Sequence, residues 1–315
     1  VVSETHEIIL QLLSDLKGVG QLPAHVQKSA VGPFAIVNVF SELNSEIISD
    51  SVTTGFDKDV NLALLKALVE WIERNAGSYA KKSGQLSCQT ERSDGLAAFP
   101  IYHHSTSSPG KEAAKKMAKK RARENALAEA IERFAWAQWW DHSTTHYEIT
   151  GVEHFDSDSV QLLGQIQELN PVVALQCIKP ILLNAPEFEL LIFLAELKTG
   201  GFVSGGAAGL VGKREATSLR GLGELLRHAQ SARKIREGAS PTTFYEKRLA
   251  HFLSENGTAQ VRERLSKKGS QLVALPTLKF DEEIYHPLAG SIYVHRCLFE
   301  NQPPFIGGEL ERLCL

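Results

Sequence analysis

Three times along this chain a strand-like run, a glycine and a helix with charged residues at fixed spacing follow one another. A recurring unit of that kind restricts the fold to helices layered on sheet. Copy one reads Thr53-Thr54-Gly55-Phe56, then Lys66-x3-Glu70-x2-Glu73-Arg74. Copy two reads Ser93-Asp94-Gly95-Leu96, then Asn125-x3-Glu129-x2-Glu132-Arg133. Copy three reads Ala207-Ala208-Gly209-Leu210, then Arg220-x3-Glu224-x2-Arg227. The glycine lies 70 − 55 = 15 positions before the first glutamate in copy one and 224 − 209 = 15 in copy three. Copy two has 129 − 95 = 34, an insertion of 34 − 15 = 19 residues.

The period of the apolar residues predicts a strand over Pro33–Phe40, a second strand candidate over Glu46–Thr53, a break at Thr54-Gly55 and a helix from about Asn61 to Asn75. The expected fold class is α/β, with internally repeated strand–turn–helix units that pack helices on β-sheet. Gly55, Gly95 and Gly209 are expected in the turns, supplying positive φ or admitting a nucleotide to the backbone. The core repeats are placed at about 33–75, 86–141 and 190–232. Residues 240–315 then complete a single domain spanning 1–315, with helical patterns near Pro241–Glu255 and Thr258–Lys267.

The helices of copies one and two are apolar around most of their circumference, as in Leu62-Ala63-Leu64-Leu65 and Ala126-Leu127-Ala128. Such helices are normally buried, and residues three apart share a face. Glu70 with Glu73, and Glu129 with Glu132, therefore read as buried carboxylate pairs needing compensation. Arg74, Arg133, Arg220 and Arg227 can supply part of it, and a hard divalent cation the rest. Asn125 adds a neutral amide for a cation, a phosphate or a ribose. On an ordinary surface helix the same Glu-x2-Glu-Arg pattern would be only a set of charge pairs; its recurrence on two apolar helices in one register favours a site.

Other motifs contribute less. The stretch from Gly200 to Gly209 is the most glycine-dense in the chain, yet it lacks the lysine of a Walker loop and does not match a dinucleotide fingerprint. His103, His104, His142, His146 and His228 read as non-catalytic, and the Ser143-Thr144-Thr145 between His142 and His146 reads as a helix end. The second half of the insertion, with Lys115, Lys116, Lys119, Lys120, Arg121 and Arg123, extends the copy-two helix backwards. It is either a solvated face or a basic surface for an acidic peptide or phosphates.

A net charge of −3 gives no general attraction to nucleic acid or an anionic membrane. No apolar run approaches the roughly 18 residues of a membrane span, and no signal-peptide pattern opens the chain. The first residue is Val1 rather than Met, so the chain is expected to be processed, trimmed or incomplete. Cys88, Cys177, Cys297 and Cys314 have no CxxC spacing, which speaks against zinc and a disulfide framework and fits a cytoplasmic location.

At these residues the chain resembles the YcaO family, whose signatures are Ser-x3-Glu-x2-Glu, Asn-x3-Glu-x2-Glu and a third helix with related polar residues. Asn125, Glu129 and Glu132 match the second signature in full, after the family-like turn Ser93–Ala98. Copy one keeps Glu70 and Glu73 but has Lys66 in place of serine. Copy three offers Glu224, Arg220 and Arg227 after Val203-Ser204-Gly205-Gly206-Ala207-Ala208-Gly209. The resemblance implies ATP and Mg2+ as cofactors. It places Glu70, Glu73, Glu129 and Glu132 at the metal, and Lys66, Asn125, Glu224, Arg220 and Arg227 at the nucleotide.

It also implies an activity: ATP-dependent phosphorylation of a peptide amide oxygen, giving azolines by cyclodehydration in a ribosomal peptide natural-product pathway. Thioamide or amidine formation uses the same chemistry. Implied partners are a precursor peptide, a ubiquitin-activating-enzyme-like or TfuA-like protein, and a second copy of the chain or a larger complex. The chain ends without a Pro-x-Pro-x-Pro tail, so azoline formation is not fixed by its C-terminus. Two other readings stand: a YcaO-like scaffold without turnover, signalled by Lys66, and a di-metal carboxylate enzyme, although neither helix has the Glu-x2-His spacing that design uses.

Overall fold

The computed structural model describes residues 4–41, 52–82, 96–100, 108–151, 155–284, 286–288, 292–303 and 311–313, with backbone alone at 77–82, 96–100 and 108–111. Most of the Glu46–Thr53 strand candidate, Gly95, His103, His104, Cys88, Cys314 and 304–310 of the C-terminal stretch lie outside them. The chain divides into two compact units interleaved in sequence: Val1–Leu127 with Lys279–Leu298, and Ala128–Leu278 with Phe299–Leu315.

The first unit opens with helix α1 (Glu4–Gly18), whose Ile9, Leu12 and Leu16 recur at helical spacing and are buried. Strands β1 (His25–Val31), β2 (Phe34–Phe40) and β3 (Val52–Asp57) form an antiparallel sheet in that order. Helix α2 (Val60–Lys82) packs on β2 and β3. Ala67, Leu68, Trp71 and Ile72 of α2 share one core with Val37 and Val39 of β2. Strands β4 (Leu96–Pro100), β9 (Leu278–Ile284) and β10 (Ile292–Phe299) make a second sheet, ordered β4-β10-β9.

Helix α3 (Ser108–Asp141) starts where the polar part of the insertion ends, as its composition predicts. Its basic face is largely engaged by acidic neighbours. Lys115 pairs with Glu112 at 3.1 Å, Lys119 with Glu283 at 3.0 Å, Lys120 with Glu124 at 3.6 Å, and Arg123 with Asp281 at 2.6 Å. The solvated-face reading is the better supported of the two.

The second unit carries a four-stranded antiparallel sheet, β5 (Tyr147–Thr150), β6 (Val172–Pro180), β7 (Phe188–Leu197) and β8 (Phe202–Leu210), with β8 at one edge. Residues of β7 are buried on both faces, so its sequence FELLIFLAEL is a nearly continuous apolar run. Helices α4 (Ser157–Leu169) and α5 (Arg214–Arg236) pack together, and α5 lies along β8. Helices α6 (Phe244–Phe252) and α7 (Glu255–Ser266) follow, α6 opened by a capping box of Thr243 and Glu246.

Each glycine reading from the repeat needs correction where it is described. Gly55 lies within β3, paired with Val37, and Gly209 lies within β8, paired with Glu189. Neither is a turn residue with positive φ. A Cβ on Gly55 would collide with the carbonyl oxygen of Ala63; one on Gly209 would collide with Thr217 Oγ1. The offset is 63 − 55 = 8 in one copy and 217 − 209 = 8 in the other, so the repeat survives as a helix laid against a strand. Close approach, rather than a turn, is what excludes a side chain there.

Arg264 of α7 fixes the end of α3. Its guanidinium donates to the carbonyls of Trp139 (2.5 Å) and His142 (3.4 Å), and to that of Lys267 (2.7 Å) at the end of its own helix. It also stacks on the Trp139 ring at 4.8 Å. A cation on helix-terminal carbonyls meets both the dipole and the unpaired acceptors. Arg264→Met should cost about 3 kcal/mol, read by urea unfolding; a loss within error would show the carbonyls are satisfied without it.

Candidate functional site

Edge strands leave alternate amides unpaired, and on β8 side chains meet them. Gly206 donates its amide to Glu224 Oε2 at 2.8 Å, and Ala208 donates its amide to Glu132 Oε2 at 3.1 Å. Arg220 donates to the carbonyl of Ala208. The glycines of β8 permit this proximity. A Cβ on Gly205 would collide with the backbone of Leu225 and Gly221 in α5, and one on Gly206 with the Trp136 ring of α3. The glycine-dense stretch thus brings two helices close to a strand edge, and with them Glu132 and Glu224.

Around this pair stand three arginines. Arg133 approaches Glu129 at 3.4 Å, Arg227 approaches Glu224 at 3.6 Å, and Arg220 adds positive charge beside Glu132. Burial pushes the Glu132 carboxyl up to about 7; Arg133 and Arg220 oppose the shift, and the negative charge of Glu224 adds to it. Two carboxylates in a half-buried position with incomplete compensation are chemically suited to a divalent cation. The expected burial of the pairs is only partial, since Glu70, Glu73, Glu129 and Glu132 are all half-buried. Partial exposure is what access to a ligand requires.

Because the folded pKa of Glu132 lies above the ordinary 4.5, the folded chain holds this proton more tightly than the unfolded one. That contribution is complete below about pH 4.5 and disappears as pH rises through about 7. In metal-free buffer Glu132→Gln should therefore melt above the wild type near pH 8, with the gap closing towards pH 5. A gap independent of pH would show that another group titrates.

Copy one is neutralised differently. Glu70 accepts the Thr54 amide at 3.2 Å and a 2.6 Å bond from Arg74. Lys66 donates to Asp57 Oδ2 at 2.7 Å and to the carbonyl of Phe56 at 3.1 Å. Glu73 is one turn further along α2, half-buried. Here fixed cations already face the acidic groups, so the donor set fits an added cation less well than that around Glu132. Asn125 is exposed on α3, one turn before Glu129.

The structure brings Glu129, Glu132, Arg220, Glu224 and Arg227 together in the second unit, and Lys66 and Glu70 in the first. It also adds His228 and Tyr245. His228 Nδ1 bonds the carbonyl of Ser204 on β8, and its ring lies 5.1 Å from that of Tyr245. Burial holds the imidazole down to about 4, despite the opposing charge of Glu224, so His228 is neutral. Burial likewise raises the Tyr245 phenol. The signal for His228 was its i+4 spacing from Glu224; nothing in the sequence marked Tyr245. His142 follows the last residue of α3, and His146 bonds the carbonyl of Gly269 at 3.0 Å, which agrees with the helix end read between them.

No protein-family model matches the sequence, and no curated protein matches it. Solved structures do resemble it. One is YcaO from Methanopyrus kandleri, bound with AMPPCP and Mg2+: TM-score 0.58, 14% identity, covering 96% of this chain and 92% of that one. Another belongs to the E. coli microcin synthetase McbBCD complex with pro-MccB17 bound: TM-score 0.54, 10% identity, covering 88% of each chain. At such identities the likeness is one of architecture, and the architecture, helices on antiparallel sheets over nearly the full length of both chains, is the YcaO fold.

Proposed function

We propose that this chain is an ATP- and Mg2+-dependent enzyme that modifies peptide backbone amides, forming azolines by cyclodehydration. The observation that carries the reading is the pair Glu132 and Glu224 on the open edge of β8, with Arg220 and Arg227 beside them. The likeness to a nucleotide-bound YcaO and to a peptide-bound microcin synthetase supports it. Glu129, Glu132 and Glu224 would hold the cation, and Glu70 and Glu73 are the candidate carboxylates of the first unit. Arg220 and Arg227 would face phosphate oxygens, and Lys66 and Asn125 are the nucleotide-binding candidates of the first unit. Bound there, ATP would supply the phosphoryl group that lets an amide oxygen leave as phosphate after a side-chain thiol or hydroxyl has added to the amide carbon. Fixed positive groups stabilise the charge that develops on the phosphoryl oxygens without reorganising.

In this reading residues 1–315 act as one YcaO-type domain in the cytoplasm, within a dimer or larger complex. A ubiquitin-activating-enzyme-like or TfuA-like partner brings the precursor peptide. Among the described residues no helix is long and apolar enough to cross a membrane. The test is titration with Mg–ATP followed by intact mass of a co-expressed peptide and partner. Loss of water supports azoline formation, and oxygen-to-sulfur exchange would move the product to a thioamide. Absence of Mg–ATP binding sinks the proposal.

A second reading is favoured by copy one, where Lys66 and Arg74 already neutralise Asp57 and Glu70. There the chain is a scaffold that binds nucleotide without turnover. Tight Mg–ATP binding with no peptide-stimulated hydrolysis, partner present, would select it.

A further inference from the structure

Three donors of different chemistry, none of them used in the function proposed above, meet in the sheet β4-β10-β9. Asp281 stands on β9, and His295 and Cys297 stand two apart on β10, so both point to the same face. One ligand atom from each lies within 4.8 Å of the other two. His295 Nε2 is 2.8 Å from Asp281 Oδ1, and Cys297 Sγ is 3.7 Å from the same oxygen. Cys297 is buried, the His295 side chain is 14% exposed and that of Asp281 30%, which places the soft donor inside and the hard one at the surface.

A tetrahedral zinc centre with bonds of about 2.0–2.3 Å keeps its ligand atoms about 3.3–3.8 Å apart. The Cys297–Asp281 separation lies in that range, and the His295–Asp281 contact has to open by about half an ångström. The carboxylate also has its outer contact in place. Arg123 Nη2 holds Asp281 Oδ2 at 2.6 Å, while Arg123 Nε reaches Oδ1 at 2.8 Å. A metal on Oδ1 displaces only the second of these, and the first remains to orient the carboxylate from behind, as outer partners do in metal sites.

We propose that Asp281, His295 and Cys297 form a site for a zinc-class divalent ion, with water as the fourth ligand. The thiol binds as thiolate and releases its proton to solvent. Sulfur and imidazole donors suit zinc and cobalt and are poor ligands for Mg2+, so this site is distinct in chemistry from the carboxylates of α3 and α5 and independent of the function proposed above. It would join β9 to β10 through three side chains.

The experiment is titration of the full chain with Co2+, read by the thiolate-to-cobalt charge-transfer band, with Zn2+ added as competitor. A band saturating at one equivalent and abolished by Zn2+ is expected. Glu132→Gln and Cys177→Ser should leave it unchanged. Cys297→Ser should remove it, and His295→Ala should weaken binding by more than about 100-fold, since even an outer-sphere partner is worth 10–100-fold. Circular dichroism identifies any variant that fails to fold, and His295→Ala then decides alone. Arg123→Ala should leave the band in place. No band in the wild type, or the same band in Cys297→Ser or His295→Ala, overturns the proposal.

Discussion

Glu132→Gln is expected to weaken Mg–ATP binding by at least about 100-fold, and Glu70→Gln by no more than about tenfold. The asymmetry comes from what each carboxylate already holds. Glu70 has Arg74 at 2.6 Å and the Thr54 amide, and its charge is matched within α2 and β3. Glu132 shares its surroundings with a second carboxylate, Glu224, and burial raises its pKa to about 7. A cation relieves that repulsion only at Glu132. Glutamine keeps the shape and can still accept the Ala208 amide, so loss of affinity would report the charge rather than a collapsed strand edge. Isothermal titration of the three proteins decides it. Wild-type affinity in Glu132→Gln removes the site, and equal losses in both variants would mean that the copy-one pair takes part on the same terms.

Gly55→Ala should destabilise the chain by about 3 kcal/mol or more. The added methyl would collide with the Ala63 carbonyl and sit 2.7 Å from the Ala67 nitrogen. Both are backbone atoms in the N-terminal part of α2, so relief requires the helix to move off β3 and open the contacts of Ala67 and Leu68. Gly164→Ala is the opposite case. It lies inside α4, a Cβ there meets nothing within 4 Å, and the substitution should stabilise by about 0.5–1 kcal/mol through helix propensity alone. Urea midpoints moving in opposite directions would confirm the pair of effects; a Gly55→Ala midpoint equal to wild type would mean that α2 can shift without cost.

The same glycines show where sequence reading succeeds and where it stops. Spacing alone exposed the repeat, because strand, helix and offset are properties of the chain and recur wherever it packs the same way. Apolar periodicity likewise located β2 and α2, and helical patterns located α6 and α7. The purpose of Gly55 and Gly209 was not legible, since a glycine that supplies positive φ and one that admits a helix are the same letter. Only the neighbour eight residues on tells them apart. Burial of the glutamates was overstated for a related reason. Apolar residues around most of α2 suggested enclosure, yet Leu62 is exposed and Leu64, Leu65 and Val69 only half-buried. Glu224, aligned with Glu70 by the repeat, turned out to lie beside Glu132 of another helix on one edge of β8, a pairing that no spacing within one helix can reveal.

The edge of β8 has a bearing on solubility as well as on chemistry. A strand of small residues with open amides invites another chain to add a strand. Here Glu132 and Glu224 occupy the amides of Ala208 and Gly206, and Arg220 the Ala208 carbonyl. Replacing both glutamates by alanine would bare a run of Ser204, Gly205, Gly206, Ala207 and Ala208 with donors unpaired. The residues proposed for cation binding thus also keep the strand edge satisfied when no cation is bound.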